Sequence, residues 1–281
     1  MKAKIMITLL IFFFVPHIVS AGIISLTTSV STDILIKDNT KIHIKLLNSG
    51  DESAYNVQIS LLTENFKTDK ILAGELKPNN PFEEILIINL TKQIISGKYP
   101  VALLVDYTDA NGYPFSSVSS TFIVYKNSTV AKIAGLIPEI SLSGKESKKL
   151  TLSIRNLDDK EHEVDVKLIL PREIKVDKGE KRVSIGSKQE KSLDFEVSSL
   201  SAISGSTYAV LASLEYEDEL HYSSFANGII KIDGGSKPKT EGTEGRSTLA
   251  YVILFISIII VLIYAYPKYI KRGIKVEKKH E

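Results

Sequence analysis

Along KIHIKLLNSG (41–50), apolar Ile42, Ile44 and Leu46 alternate with Lys41, His43 and Lys45. A period of two predicts a strand with one face in a core and the other in water. The pattern returns 108 residues later in KLTLSIRNLD (149–158), where Leu150, Leu152 and Ile154 alternate and Asn156 falls on Asn48. Tyr55, Val57, Ile59 and Leu61 are answered by Val164, Val166, Leu168 and Leu170, and Leu86, Ile88 and Leu90 by Leu193, Phe195 and Val197. The phrase ISGKYPVALLVDY (95–107) is echoed as ISGSTYAVLASLEY (203–216). Its Ser-Gly pair turns the chain into a late strand, and Val101, Leu103 and Val105 alternate into the core. Small gaps between strands that stay in register describe a duplicated domain.

A repeat of roughly 100 residues with about seven short strands suits an immunoglobulin-like β-sandwich. It is too long for a solenoid or propeller blade, where roughly 20–50 residues is usual. The predicted fold is mainly β, with two tandem immunoglobulin-like β-sandwiches, 23–127 and 128–233, plus one transmembrane α-helix. Each sheet needs another to cover its apolar face, and the polar faces, rich in Lys, Glu, Ser and Thr, are expected to be solvated.

Two apolar runs flank the repeats. Residues 1–21 carry Lys2 and Lys4, an apolar stretch Ile5–Val15 and small residues Ser20 and Ala21, the three-part form of a signal peptide. The alternative is an uncleaved anchor, for which the apolar stretch falls short of the ~20 residues a span needs. After a Gly-, Lys- and Glu-rich linker (234–247), the segment 248–266 contains the charge-free run Leu249–Tyr266. That run is long enough to cross a bilayer, with Tyr251, Tyr264, Tyr266 and Tyr269 near its ends. The tail 267–281 holds six Lys or Arg against two Glu, and the positive-inside rule puts it in the cytoplasm. The expected topology is a single-pass cell-membrane protein with both sandwiches extracytoplasmic. Treated as a coil, the linker reaches about 20 Å and holds the second sandwich close to the bilayer.

The chain of 281 residues has a net charge of +2, so nothing in its balance suggests nucleic acid. It has no cysteine, which excludes disulfides, thiol nucleophiles and Cys-ligated metals, and no tryptophan. There is no Gly-x-Ser-x-Gly elbow, P-loop or dinucleotide fingerprint, so no catalytic residue and no cofactor is assigned. His43, His162 and His221 are read as solvated surface residues; His17 and His280 fall in the terminal segments.

Acid-rich hairpins hold equivalent places in the two repeats. In DYTDANG (106–112), Asp106, Asp109 and Asn111 offer hard oxygen ligands suited to Ca²⁺, as do Glu215, Glu217, Asp218 and Glu219 in the second. The competing reading is a plain hairpin turn, because Asn-Gly supplies positive φ cheaply and the spacing is not an EF-hand loop. Two sequons, Asn89-Leu90-Thr91 and Asn127-Ser128-Thr129, make Asn89 and Asn127 glycan-acceptor candidates.

Asn48-Ser49-Gly50, Ala54-Tyr55-Asn56-Val57, then Ser96-Gly97-Lys98-Tyr99-Pro100 before Val101–Tyr107 and the turn Asp109-Ala110-Asn111-Gly112 form a recognisable series. It resembles the CARDB-like and S-layer-like β-sandwich modules of archaeal and bacterial surface proteins. The second copy departs from it: Leu157-Asp158 replaces Ser49-Gly50 and the Asn-Gly turn is lost. The resemblance implies extracytoplasmic placement and a non-enzymatic binding or structural role at the cell envelope. The expected partners are the lipid bilayer and a protein or glycan of the envelope. The alternative is an accessory subunit docked on a polytopic membrane complex such as an ABC-type exporter. A surface hydrolase is the third reading and requires a site the sequence does not show.

Overall fold

A computed structural model describes residues 22–144 and 146–234. The chain divides into two compact units at Asp233. The expected signal peptide, most of the linker, the membrane helix and the basic tail lie outside the described residues. Among those described, every regular element is a β-strand, and none is a helix able to cross a membrane.

In the first half, one sheet runs β1 (Leu26–Thr32), β2 (Asn39–Asn48), β6 (Phe82–Leu90), β4 (Phe66–Lys67). The facing strands are β5 (Ile71–Leu76), β3 (Ala54–Leu62), β7 (Gly97–Thr108) and β8 (Pro114–Tyr125). In the second half, β9 (Ile133–Leu136), β11 (Lys148–Asn156), β15 (Glu190–Ser199) and β13 (Ile174–Val176) form one sheet. Opposite lie β14 (Glu180–Ile185), β12 (His162–Ile169), β16 (Thr207–Glu217) and β17 (His221–Ile232), with β10 (Ile140–Leu142) parallel to the end of β17.

Each pair of sheets encloses its own core. Ile42, Ile44, Leu46, Val57, Ile59, Val101, Leu103 and Val105 fill the first. Leu150, Leu152, Ile154, Val164, Val166, Phe195, Val210 and Leu214 fill the second. These are the residues the alternation points inward, and each buried aliphatic contributes about 1.5–3 kcal/mol. Tyr55 breaks the alternation. A bulge between Tyr55 and Gln58, with Asn56 at φ 51°, moves the Tyr55 ring outward. The second copy pairs without such a bulge.

Asn48 and Asn156 are both fully buried at the end of a strand. The Asn48 amide donates to the carbonyls of Glu52 (2.7 Å) and Leu76 (3.2 Å), and its oxygen accepts from Ser25 and Gly50 N–H. Asn156 donates to Lys160 (2.7 Å), Ile185 (3.1 Å) and Gly186 (3.1 Å) carbonyls and accepts from Asp158 N–H (2.8 Å). Both therefore staple the loop that leaves the strand, which is why the duplication keeps them.

The expectation of solvated outer faces fails at β7 and β16. Ala102 and Leu104, on the face of β7 turned away from its core, are 1% and 6% exposed. With Val118 they meet Ile169, Leu211 and Phe225 of the second half. A strand buried on both faces needs an unbroken apolar run, and VALLV (101–105) is one.

Candidate binding groove between the two sandwiches

The two sandwiches lie side by side, with β7 and β17 running parallel and touching at Gly97 and His221. His221 N–H donates to Ser96 O (2.9 Å), and its carbonyl accepts from Thr129 Oγ1 (2.9 Å). Its ring stacks on Tyr99, centroids 4.0 Å apart and planes within 4°. Ser223 Oγ adds a bond to Lys98 O (2.7 Å). The first repeat's Ser-Gly-Lys-Tyr phrase is thus the seat for the second sandwich, and Gly97 allows the backbones to meet.

A second set of polar contacts closes the far end of the same interface. The Arg172 guanidinium grips Asp106 through Nε (2.6 Å) and Nη2 (2.8 Å). Glu173, 3% exposed, accepts from Ser116 N–H (2.5 Å) and Ser116 Oγ (2.6 Å). Between these ends lies the apolar cluster around Leu104 and Phe225.

Beside the His221 junction the sandwiches leave a groove of about 1040 Å³. The first sandwich contributes Glu64, Lys92 and Tyr99, the second Glu163, Lys167 and Glu217. Lys167 spans it, reaching Glu64 at 2.7 Å and Glu180 at 2.8 Å. His221 Nε2 lies 3.1 Å from Glu215, and its Nδ1 lies 3.5 Å from Glu217. His162 also lines the groove, and its Nε2 pairs with Asp158 (2.9 Å), which accepts from Lys132 Nζ (2.9 Å). Hydrogen bonds from Lys132 and His162 hold the Asp158 carboxyl well below the usual carboxylate range. The groove thus offers charges of both signs and a few buried rings, a lining suited to a polar partner.

Both histidines correct the reading of solvated surface residues: His162 and His221 are each 6% exposed. His162 occupies the inward position of the alternation His162, Val164, Val166, Leu168, so its burial was written in the period. For His221 the deciding contact comes from the other sandwich and leaves no local trace. His43 is half exposed, near Asp33.

The candidate Ca²⁺ ligands are not brought together as a set. Asp109 Oδ1 accepts from Asn111 N–H (2.9 Å) and Tyr113 N–H (2.8 Å), and Gly112 takes φ 81°, which is hairpin-turn geometry. Asp106 faces Arg172 instead. In the second hairpin, Glu215 and Glu217 turn to His221 while Asp218 pairs with Lys160 at 3.0 Å. No cluster of three or more metal-ligating side chains forms among the described residues. Asn89 and Asn127 are both exposed, but Thr129 of the second sequon is buried against His221.

Burial raises four tyrosines, led by Tyr99, where Glu217 and Glu215 add to the effect. Tyr107 is pushed up to about 12 by burial and by Glu173. A phenol whose folded pKa exceeds its unfolded value stabilises the fold fully below pH ~10 and loses that contribution as pH rises toward 12. For Tyr107 the loss amounts to about 2–3 kcal/mol. Urea midpoints measured from pH 8 to 11.5 should therefore fall above pH 10, and less steeply in Tyr107→Phe. An identical slope in the variant would count against the assignment.

No protein-family model matches the chain, and no curated protein matches it. Among solved structures, a mutant alpha-2-macroglobulin from Salmonella overlays 74% of this chain and 16% of its own at 10% identity and TM-score 0.32. The native conformation of Escherichia coli alpha-2-macroglobulin overlays 74% and 17% at 11% identity and TM-score 0.30. The chain thus spans about a sixth of the length of these macroglobulins. A protein of unknown function from Porphyromonas gingivalis W83 overlays 72% of this chain and 98% of its own at 14% identity and TM-score 0.30.

Proposed function

We propose that the chain is a non-enzymatic, membrane-anchored extracytoplasmic protein that binds a protein or glycan of the cell envelope, in the manner of CARDB-like and S-layer-like modules. The observation that carries this reading is the groove built jointly by the two sandwiches at the His221 junction. Two modules fixed side by side by an apolar cluster and a buried carboxylate present one composite surface, and specificity then comes from side chains of both. The apolar run Leu249–Tyr266 supplies the anchor in this reading.

The chain's freedom from cysteine makes the test direct. Lys92→Cys and Glu163→Cys, one on each wall of the groove, are to carry a photocrosslinker in the native membrane, followed by mass spectrometry of the adducts. Adducts from both positions to one envelope protein or glycan are expected. Stoichiometric adducts to a polytopic membrane protein would instead favour the accessory-subunit reading, for which the short linker speaks.

A further inference from the structure

The end of the molecule opposite the groove has a different surface. The loop after β15 exposes Leu200 (65%) and Ile203 (39%). It lies where the chain leaves the second sandwich: Gly205 N–H bonds Ile232 O (2.9 Å) and Ser204 Oγ bonds Asp233 O (3.1 Å). The first sandwich ends at the same level. Leu200 N–H bonds Glu173 O (2.8 Å), and the Glu173 carboxylate holds Ser116, three residues from Tyr113 at the tip of the β7–β8 hairpin. Tyr113 is 62% exposed. Beside it Ala110 N–H bonds Glu52, and Asp51 N–H bonds the carbonyl of Ile23, which is 63% exposed. Three aliphatic tips and a tyrosine therefore share one end.

The duplication provides the comparison. Leu200 sits 108 residues after Lys92, so one loop position is charged where it faces the groove and apolar where it faces the chain's exit. From the exit, residues 234–248 precede the charge-free run Leu249–Tyr266. Read as a coil, they reach about 20 Å. Within that reach the apolar medium this surface would meet is the bilayer's interface, where Leu, Ile and Tyr side chains are accommodated. Asp51, Glu52, Asp109 and Asp233 adjoin the tips, so attraction to anionic headgroups is not the source of the contact.

We propose that this end, through Ile23, Tyr113, Leu200 and Ile203, rests in the interfacial layer of the bilayer, which sets the groove at a fixed height above it. The proposal rests on the membrane-anchored reading. The eleven residues of β16, at ~3.4 Å each, separate the two ends by roughly 35 Å.

The test uses the full chain in phosphatidylcholine vesicles, with an environment-sensitive fluorophore on Ser201→Cys or, at the opposite end, on Glu219→Cys. Adding phosphatidylcholine spin-labelled near the headgroup should quench the label at 201 by at least half and leave that at 219 unchanged. Leu200→Asp with Ile203→Asp should abolish the quenching at 201, and Tyr113→Ser, on the other sandwich, should reduce it. Absence of quenching at 201, or equal quenching at both positions, would overturn the proposal while leaving the anchor intact. So would a label at 201 shielded from both lipid and aqueous quenchers, which would mean a protein partner. A chain that fails to float with the vesicles would overturn the anchored reading and this proposal together.

Discussion

Gly97→Ala is expected to cost about 4 kcal/mol of stability, while Gly205→Ala, at the repeated position, costs about 1–2. At Gly97 (φ 150°) a Cβ would stand 2.2 Å from His221 O and 2.7 Å from His221 N. Those atoms are backbone and are themselves bonded to Thr129 and Ser96, so no side-chain rotation relieves the overlap. The strands must part, and the bonds to Ser96 O and Lys98 O and the Tyr99–His221 stack go with them. At Gly205 (φ 84°) nothing lies within 4 Å of the added carbon, so the cost is backbone strain alone.

The pair of variants separates two effects that one variant would confuse. Urea denaturation gives the difference in stability, and amide exchange at His221 and Ser223 reports whether the junction itself has opened. Equal destabilisation at 97 and 205, or protection at His221 unchanged in Gly97→Ala, would sink the idea that this glycine seats the second sandwich.

The same glycine shows where sequence reasoning reached and where it stopped. Strands, cores and the twofold repeat follow from local periodicity, and Ile42, Leu152 and Phe195 sit where alternation places them. Contacts between the repeats have no period. Arg172 and Glu173 follow Pro171 in an ordinary polar loop, yet they hold Asp106 and Ser116 more than fifty residues away in the chain. Asp106 looked like a ligand because its neighbours Asp109 and Asn111 are close in sequence, but strand geometry points it at Arg172 and leaves them to the turn. The one trace of the interface was the unbroken apolar run from Val101 to Val105, which a strand with a wet face does not need. The groove inherits this difficulty, since each wall reads as a solvated strand until the other is in place.

Asn156→Ala should be the second costly change, at about 3 kcal/mol. Leaving a buried carbonyl or N–H without a partner costs ~1–3 kcal/mol, and this substitution removes the bonds to the Lys160 and Ile185 carbonyls and the Asp158 N–H together, while Gly186 O keeps its bond from Gln189 N–H and water recovers part of the loss. Asn156→Asp is more discriminating. It keeps the oxygen that accepts from Asp158 N–H but turns a second oxygen toward three carbonyls, so the charged carboxyl is disfavoured and its pKa must rise. Protonation restores one donor. The deficit relative to the unmodified chain, read from urea midpoints at matched pH, should therefore shrink as pH falls from 7 toward 4. If the Asp variant stays as stable as the parent at pH 7, or its deficit is independent of pH, the side chain is not the staple that its buried bonds describe. Asn48→Ala should behave alike in the first sandwich, with a comparable loss, because its amide likewise serves four backbone groups: the Glu52 and Leu76 carbonyls and the Ser25 and Gly50 N–H.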